Sequence, residues 1–389
     1  MSEKKIRVLY DDGGFLMPHG GVSRYYAEMI RRLPSDIGWK LAMESTSNVY
    51  LRQPPFNLPA HNQTVQNFIA ETLHGHSFRG VSHVYKMLAR LMPRRFPSGE
   101  LANERIFASE LERGDFDILH LTSPHPMYNN WRCVVGRKPI VVTVHDLIPE
   151  IIYGDERVRK CRKQLLKDAS HIIAVSENTR NDIKRLYGMS EEKISVIHHG
   201  YLSVDMSRIK PFKSDVPYVL YVGKRGGYKR FDFFIRAMEP LIKTEGLRLF
   251  CTGNPFTTDE IALLKRMGVY DMVTQRFVTD DEMASLFVGA LAFVYPSEYE
   301  GFGIPILDAF AARCPVILSR SSCFPEVAGE AALYFDVGDV DMLRKNIMLL
   351  RDDLSVRREM ISRGCNRLME FNWDKCARLT AQIYRRIIL

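Results

Sequence analysis

Short apolar runs alternate along the chain with longer segments in which apolar residues recur at helical spacing. The stretch 22–33 is one such segment, because its apolar side chains follow a period of about 3.6 residues. Ser176 is predicted to cap another helix at 177–187. Strands that are apolar almost throughout and alternate with helices indicate a parallel sheet covered on both faces. In the first half of the chain, the strands predicted in this way are 6–10, 116–121, 139–144, 171–175 and 194–197.

The alternation restarts after residues 210–217, whose composition (KPFKSDVP) is that of a linker. Further strands are predicted at 218–222, 247–252, 291–295 and 315–318, and the segment 354–389 is predicted to be helical throughout. The pattern predicts an α/β protein with two doubly wound, Rossmann-like domains that face each other across a cleft. We expect residues 1–205 to form the first domain, 206–370 the second, and 371–389 a helix that packs back on the first.

The composition, 46% hydrophobic and 26% charged over 389 residues, is that of a globular protein. Seven scattered cysteines form no C-x-x-C pair, which favours reduced thiols in the cytoplasm over disulfides or a zinc site. The N-terminus lacks the apolar stretch of a signal peptide, and no apolar run approaches the roughly 20 residues of a membrane span. We therefore expect a cytoplasmic protein that is soluble or rests on a membrane surface.

The formal net charge of +8 predicts anionic partners. Basic residues crowd the segment 79–113, and apolar residues lie among them at near-helical spacing. One interpretation is a solvated helix with one buried face, and the other is a basic amphipathic surface that rests on anionic lipid. Because no recognisable nucleic-acid module accompanies the charge, we predict no nucleic-acid partner.

The stretch SEYEGFGIPILDAF (297–310) carries the strongest chemical signal. It follows the predicted strand 291–295, and Pro305 stands where a helix should begin. Its two glycines let the backbone pass close to a ligand, and the free amides at a helix start can bind a diphosphate. Glu300 and Asp308 could then accept hydrogen bonds from sugar or ribose hydroxyls. For Asp308 the alternative is that it only complements the helix dipole.

A second signal is the glycine-rich turn YVGKRGGYKR (221–230), which carries four cations between positions 224 and 230. The turn has the spacing of neither a P-loop nor a dinucleotide-binding loop. Arginine suits bidentate contacts with phosphate, and lysine acts as a point charge. The turn is therefore predicted to bind phosphate through side-chain charge, with a solvated turn as the alternative.

Glu300-x7-Asp308, within EGFGIPILDAFAARCPVI, resembles the E-x7-E signature of family 4 retaining glycosyltransferases, which have the GT-B fold. The resemblance extends over nearly the whole chain, and its character is closest to bacterial polysaccharide, O-antigen or capsule mannosyltransferases. The other segments that look like motifs of this family are GGVSRYYAEMI (20–30), VTVHDLIPE (142–150), HIIAVSENTRNDI (171–183), YVGKRGGYKRFD (221–232) and FPEVAGEAALYFD (324–336).

The resemblance implies a role for each matching residue. Gly21 would bring its amide to the donor phosphate, and His145 would lie at the donor sugar near the reacting carbon. Arg225 and Lys229 would neutralise the leaving diphosphate, while Glu300 would contact the sugar hydroxyls. The remaining donor-binding positions implied in this way are Gly301, Phe302, Gly303, Ile304 and Asp308.

The resemblance also implies the reaction. A hexose would move, with retention and without a metal or other cofactor, from a nucleotide-diphosphate sugar to a glycan or polyprenyl-diphosphate-linked acceptor. GDP-mannose is the favoured donor, and the inner face of the plasma membrane is the favoured location if the enzyme is peripheral. Asp308 departs from the family, which usually has Glu at this position. The side chain that would contact the nucleotide ribose is therefore one methylene shorter.

Two alternatives remain open at this point. A GT-B sugar-nucleotide epimerase would need further acid and base groups in the cleft. A catalytically silent partner of a membrane or an enzyme complex would need none of His145, Glu300, Arg225 and Lys229 together.

The other histidines give weaker signals. His120 and His125, at the end of the predicted strand 116–121, are candidates to face the acceptor, and His198-His199 is predicted to be structural. His74-x-His76 lacks a carboxylate or cysteine partner at metal-ligand spacing. Asp280-Asp281 is predicted to cap a helix, and no metal site is predicted.

Overall fold

The computed structural model describes residues 5–60, 99–123, 135–136, 138–201 and 208–388. The strands in this part of the chain are β1 (Ile6–Tyr10), β2 (Ile37–Leu41), β3 (Ile118–Leu121), β4 (Ile140–Val144), β5 (His171–Ala174), β6 (Ile194–Val196), β7 (Tyr218–Tyr221), β8 (Arg248–Thr252), β9 (Val273–Arg276), β10 (Ala292–Tyr295), β11 (Val316–Ser319) and β12 (Leu333–Phe335). The helices are α1 (Gly21–Ile30), α2 (Gly99–Arg113), α3 (Ile148–Ile151), α4 (Glu156–Asp168), α5 (Glu177–Tyr187), α6 (Phe231–Glu245), α7 (Thr258–Arg266), α8 (Asp280–Gly289), α9 (Ile304–Ala311), α10 (Phe324–Ala328), α11 (Val340–Asp352), α12 (Leu354–Leu368) and α13 (Trp373–Ile388).

The strands form two six-stranded sheets. The first has the order β2-β1-β3-β4-β5-β6, and the second has the order β12-β11-β10-β7-β8-β9. Strand β1 pairs in parallel with β2 and β3, and β10 pairs in parallel with β7 and β11. In both sheets the strand order reverses beside the first strand, which is typical of doubly wound α/β folds. The predicted fold class is therefore confirmed.

The second sheet is covered on both faces. Alternate residues of β7 enter two separate apolar clusters, so that Leu220 packs in one cluster while Val219 packs in the other. Phe293 and Val294 divide in the same way on β10. Burying each such side chain stabilises the fold by about 1.5–3 kcal/mol. Two-sided burial explains why β7 and β10 are apolar at every position.

Helix ends follow the local sequence signals. Ser176 caps α5 as predicted, because its side chain accepts a hydrogen bond from the amide of Thr179. At α8 the predicted cap was wrong by one residue. Thr279 is the N-cap and forms a reciprocal capping box with Glu282, while Asp280 and Asp281 lie in the first turn.

The predicted helix 354–389 is interrupted. Helix α12 ends at Leu368 and α13 begins at Trp373, with Asn372 accepting a hydrogen bond from the amide of Asp374 at 2.7 Å. The backbone of Trp373 lies so close to Gly200 that a side chain on Gly200 would overlap it. The break therefore lets Trp373 pack closely against the chain at Gly200.

Contacts divide the chain into two compact units. Unit 1 comprises residues 1–143, 160–172 and 380–389, and unit 2 comprises residues 144–159 and 173–379. The domain boundaries at 205/206 and 370/371 remain predictions.

Unit 1 holds a buried polar network that includes the last turns of α13. The hydroxyl of Tyr384 lies 2.7 Å from that of Tyr10 and is hydrogen-bonded to Nδ1 of His120. The other ring nitrogen of His120 lies 2.9 Å from Oγ1 of Thr143. On the same helix, Arg385 makes a two-pronged ion pair with Asp36, each contact 2.7 Å long. These bonds anchor residues 380–388 within unit 1.

Asp11, directly after β1, is fully buried in unit 1. Its carboxylate accepts hydrogen bonds from the amides of Thr122 at 2.6 Å and of Gly13 at 3.3 Å. Burial nevertheless raises the pKa of Asp11 to about 7, because desolvation of the charge outweighs these hydrogen bonds. The native state therefore holds a proton that an unfolded chain releases near pH 4.

We expect the free energy of unfolding to lose a contribution from Asp11 as pH rises from about 4 to about 7. This contribution is fully present below the unfolded pKa and is lost as the native carboxyl ionises. Its slope is at most about 1.4 kcal/mol per pH unit. Urea unfolding of the wild type and of Asp11→Asn across this window measures it, and the variant should gain on the wild type as pH rises. A constant difference between the two proteins would mean that Asp11 ionises normally.

Candidate functional site

The segment between β10 and α9 is held in place through its backbone. Ser176 donates a hydrogen bond to the carbonyl of Gly301 at 2.8 Å, and the amide of Glu300 donates to Ser322 at 3.2 Å. Tyr299 donates to the carboxylate of Asp182 at 2.8 Å. These partners, all in unit 2, fix the segment independently of any ligand.

Two glycines set the backbone path of this segment. A Cβ on Gly301 would overlap the carbonyl oxygen of His145 and lie 2.7 Å from its carbonyl carbon. Gly303 has φ of 87° and is the N-cap of α9, a conformation that glycine adopts without strain. Pro305 lies in the first turn of α9, as the sequence predicts. Glu300 therefore stands three residues before the N-cap of α9.

Lys229 and Glu300 form an ion pair at this helix start. The ammonium of Lys229 contacts Oε1 of Glu300 and lies 3.4 Å from the hydroxyl of Tyr295. The side chains of Lys229 and Glu300 are only 14% and 10% exposed. The amide of Glu298 also donates to the carbonyl of Tyr228 at 2.8 Å, which ties the two loops together. A cation and a carboxylate in so sheltered a place can bind the charged and hydroxyl groups of a ligand.

Histidine and aromatic rings of unit 2 form a cluster that includes Phe302, two residues after Glu300. The half-buried ring of His145 lies 5.7 Å from that of His199, measured between centroids. His199 stacks on Phe302 with a centroid distance of 4.5 Å, and it is 5.8 Å from Trp373. His145 and Phe302 were predicted site residues. His199 was interpreted as structural, and only its position in the fold reveals that it joins them.

Arg225 takes a different direction from Lys229 in the same turn. Its guanidinium is buried, and its Nε lies 3.0 Å from Oε1 of Glu260. The guanidinium also donates to the backbone carbonyls of Thr252, Asn254 and Pro255. Lys224 beside it is exposed and lines a cavity of about 420 Å³, together with Arg225, Asp232, Asp259 and Glu260. The sequence shows Lys224 as one of four cations in this turn, and charge alone does not indicate which of their side chains points outward.

The remaining predicted residues are distributed over both units. Asp308 is half-buried in the second turn of α9, and Ile304 begins that helix. Gly21 begins α1 in unit 1. His120 is fully buried in unit 1 with its ring nitrogens hydrogen-bonded to Tyr384 and Thr143. His125 lies outside the described residues.

Glu326 joins several segments of unit 2. Its carboxylate accepts hydrogen bonds from the amides of Glu177, at 2.7 Å, and Asn178, at 3.2 Å, and lies 2.7 Å from Nε2 of His198. Burial alone would raise the pKa of Glu326. The hydrogen bonds from His198 and the two amides outweigh this effect, so the pKa lies below its ordinary value. Glu326 is therefore held ionised at the N-terminus of α5, a site that favours negative charge.

Among the described residues, no three His, Cys, Asp or Glu side chains come together as a potential metal-binding group. The helices in the same part of the chain include none with the length and apolar character required to cross a membrane.

Residues 49–201 match the family described as Glycosyltransferase Family 4, and residues 205–367 match Glycosyl transferases group 1. The chain is a glycosyltransferase. Its two matched regions are separated by residues 202–204, and its pair of parallel sheets is the GT-B fold. The prediction that the chain is a transferase enzyme is thereby confirmed.

Among curated relatives, O-antigen chain mannosyltransferase B of Escherichia coli is 29% identical over 266 residues, which is 63% of this glycosyltransferase and 70% of the relative. O-antigen chain mannosyltransferase RfbU of Salmonella typhimurium is 32% identical over 223 residues, or 55% of this chain. The match spans 62% of RfbU, which is less than two thirds of its length.

Solved structures agree on the fold. HepE from Anabaena, in complex with UDP and glucose, has a TM-score of 0.72 at 15% identity, over 97% of this chain and 99% of HepE. Sucrose-phosphate synthase from Thermosynechococcus elongatus has a TM-score of 0.72 at 18% identity, over 98% and 99% of the two chains. At these identities the likeness concerns architecture alone.

Proposed function

We propose that this glycosyltransferase moves a hexose, with mannose favoured, from a nucleotide-diphosphate sugar to a glycan or lipid-linked glycan acceptor in polysaccharide biosynthesis. The observation that carries the proposal is the sheltered ion pair of Lys229 and Glu300 at the start of α9. The names of the two O-antigen mannosyltransferase relatives favour mannose and hence GDP-mannose as the donor. UDP-sugars are the main competing donor class, since HepE binds UDP.

Transfer would depend mainly on stabilisation of charge. Breaking the anomeric bond leaves a cationic sugar and adds negative charge to the diphosphate. Lys229 and the amides of Phe302, Gly303 and Ile304 would stabilise the diphosphate, and preorganised groups of this kind usually supply the largest catalytic effect. Glu300 would accept hydrogen bonds from the sugar hydroxyls and carry negative charge near the sugar. The proposed chemistry requires no metal ion.

The other proposed contacts follow the family resemblance. His145 would lie at the donor sugar, Gly21 would approach the donor phosphate, and Asp308 would contact the nucleotide ribose. Retention is proposed through attack of the acceptor on the face from which the diphosphate leaves, with a phosphate oxygen taking the acceptor's proton. Arg225 belongs to the loop that carries Lys229.

The acceptor side of the proposal concerns a membrane surface. A polyprenyl-diphosphate-linked acceptor would place the enzyme at the inner face of the plasma membrane, attached through the basic segment 79–113. Residues 99–113 of that segment form α2, and residues 79–98 lie outside the described residues. Salt-sensitive co-sedimentation with vesicles of anionic lipid tests this part, and its absence would remove it.

The donor class is tested by thermal stabilisation with GDP, UDP, dTDP and ADP, each with and without magnesium. We expect one diphosphate to stabilise the wild type by about 2.7 kcal/mol at a hundred times its dissociation constant, independently of magnesium. Lys229→Met should lose this stabilisation, because its ammonium would no longer meet the diphosphate.

Lys243→Met is the matched control, since Lys243 on α6 pairs with Glu239 in an exposed ion pair. This variant should keep the response to the nucleotide. If none of the four diphosphates raised the melting temperature of the wild type, the proposed donor site would be wrong.

A further inference from the structure

The guanidinium of Arg225 is occupied by protein acceptors. Nε donates to Oε1 of Glu260 at 3.0 Å, and Nη2 donates to the carbonyls of Asn254 and, at 2.9 Å, of Pro255. Longer bonds of 3.4 Å run from Nη1 to the carbonyl of Thr252 and from Nη2 to Oε2 of Glu260. The side chain is only 4% exposed. A guanidinium has five N–H donors, and all three nitrogens of this one are engaged within the protein.

An aromatic ring covers the same guanidinium. Its central carbon lies 4.8 Å from the ring centroid of Phe256, which places the cation over the ring. The charge of Arg225 is therefore balanced by Glu260 and screened by Phe256, without any ligand.

Glu260 is itself fixed. It occupies the third position of α7 and forms a capping box with Thr257, whose amide donates to Oε2 of Glu260 at 2.7 Å. The pair of Arg225 and Glu260 thus joins the turn after β7 to the start of α7. Both partners are anchored in regular structure close to the loop.

Tyr221 holds the same loop from inside unit 2. Its hydroxyl lies 2.8 Å from the carbonyl oxygen of Lys224 and 3.2 Å from that of Lys229, and the two carbonyls share its single proton. Burial raises the pKa of Tyr221, so its hydroxyl remains a donor at any physiological pH. The backbone is therefore fixed immediately before Arg225 and again at Lys229, the residue that meets Glu300.

We propose that Arg225 is a positioning residue: with Glu260 it fixes the loop 223–230 so that Lys229 stands against Glu300, and Lys229 rather than Arg225 meets the donor diphosphate. The proposal rests on the proposed function and assigns the two cations of one loop different tasks. Arg225 would affect the reaction only by holding Lys229 in position.

Glu260→Gln separates this proposal from direct phosphate binding by Arg225. Glutamine keeps the capping box of α7 but removes the charge that holds the guanidinium. If Arg225 bound phosphate, loss of its competitor Glu260 would leave donor KM unchanged or lower it. If Arg225 positions the loop, Glu260→Gln should lower kcat at least about tenfold, because the transition-state contact of Lys229 is misplaced.

The complete experiment is a double-mutant cycle of Arg225→Lys, Glu260→Gln and the pair, measured for kcat, donor KM and melting temperature. We expect the double variant to be no worse than the poorer single variant, since each change breaks the same contact. Arg344→Lys with Asp341→Asn is the control, because Arg344 also joins backbone carbonyls to a carboxylate in unit 2. That cycle should leave donor KM and kcat within about twofold.

Two results would overturn the proposal. One is Glu260→Gln with full kcat and equal or tighter donor binding. The other is Arg225→Lys and Glu260→Gln acting independently on both melting temperature and kcat. Failure of the proposed function would look different, because the wild type would then bind no nucleoside diphosphate, while the melting temperatures would still report whether Arg225 and Glu260 are coupled.

Discussion

Gly301→Ala is expected to lower kcat/KM for sugar transfer by more than about a thousandfold, which corresponds to about 4 kcal/mol. A Cβ at this position would overlap the carbonyl oxygen of His145 and approach Cβ of Asp146 to 3.1 Å. The obstacle is mostly backbone, so no rotamer change can relieve it. The chain would have to move either the segment that carries Glu300 or the segment that carries His145.

Activity and melting temperature should be measured together for this variant. We expect the melting temperature to fall as well, because the Gly301 carbonyl also accepts the hydrogen bond from Ser176. Gly38→Ala on β2 is the control, since its nearest neighbour atom would lie 3.8 Å from the new Cβ. A Gly301→Ala enzyme within about tenfold of the wild type would show that the close approach to His145 has no catalytic role.

Apart from the edge strand β6, the strands predicted from sequence lie inside the two sheets. Strands β7 and β10 are apolar at every position because one side chain in two enters each cluster, and a run of this kind is visible without any tertiary information. The loop at Glu300 was predicted for a similar reason. A strand, two glycines and a proline at a helix start are all local features of the sequence. In this order they indicate a helix N-terminus.

The strands that the sequence did not predict are all edge strands. Strands β2 and β12 lie at sheet edges, and β9 ends the second sheet on its other side. Their sequences, IGWKL, LYF and VTQR, are short or contain polar residues, since an edge strand is less completely buried. Such a strand forms because a neighbour offers backbone groups for pairing, and this is not encoded in its own periodicity.

The different directions of Lys229 and Arg225 could not be predicted either. Both are cations in one glycine-rich turn, and their types alone predict phosphate binding for each. What separates them is Glu260, 35 residues beyond Arg225, which the pairing of β7 with β8 brings beside the turn. The stacking of His199 on Phe302 could not be predicted for the same reason, because the two residues are far apart in the chain.

The second large effect is expected from the ion pair itself. Glu300→Gln preserves the shape of the side chain and removes its charge, and we expect it to lower kcat by about a hundredfold to a thousandfold. Lys229→Met should do the same, because the developing charge on the diphosphate would lose its nearest cation. Each single change also leaves one charge sheltered without its partner, which commonly costs about 3–5 kcal/mol when the site is buried.

The combination of Glu300→Gln with Lys229→Met distinguishes catalysis from stability. If the pair serves only the fold, removing both charges should restore the melting temperature and the activity together, since no unpaired charge remains. If the two side chains act on the donor, the melting temperature should recover while kcat stays at or below that of the single variants. The exposed pair of Lys243 and Glu239 supplies the control, where neither change should alter kcat by more than about twofold. Activity that recovered with the fold would remove Lys229 and Glu300 from the proposed mechanism.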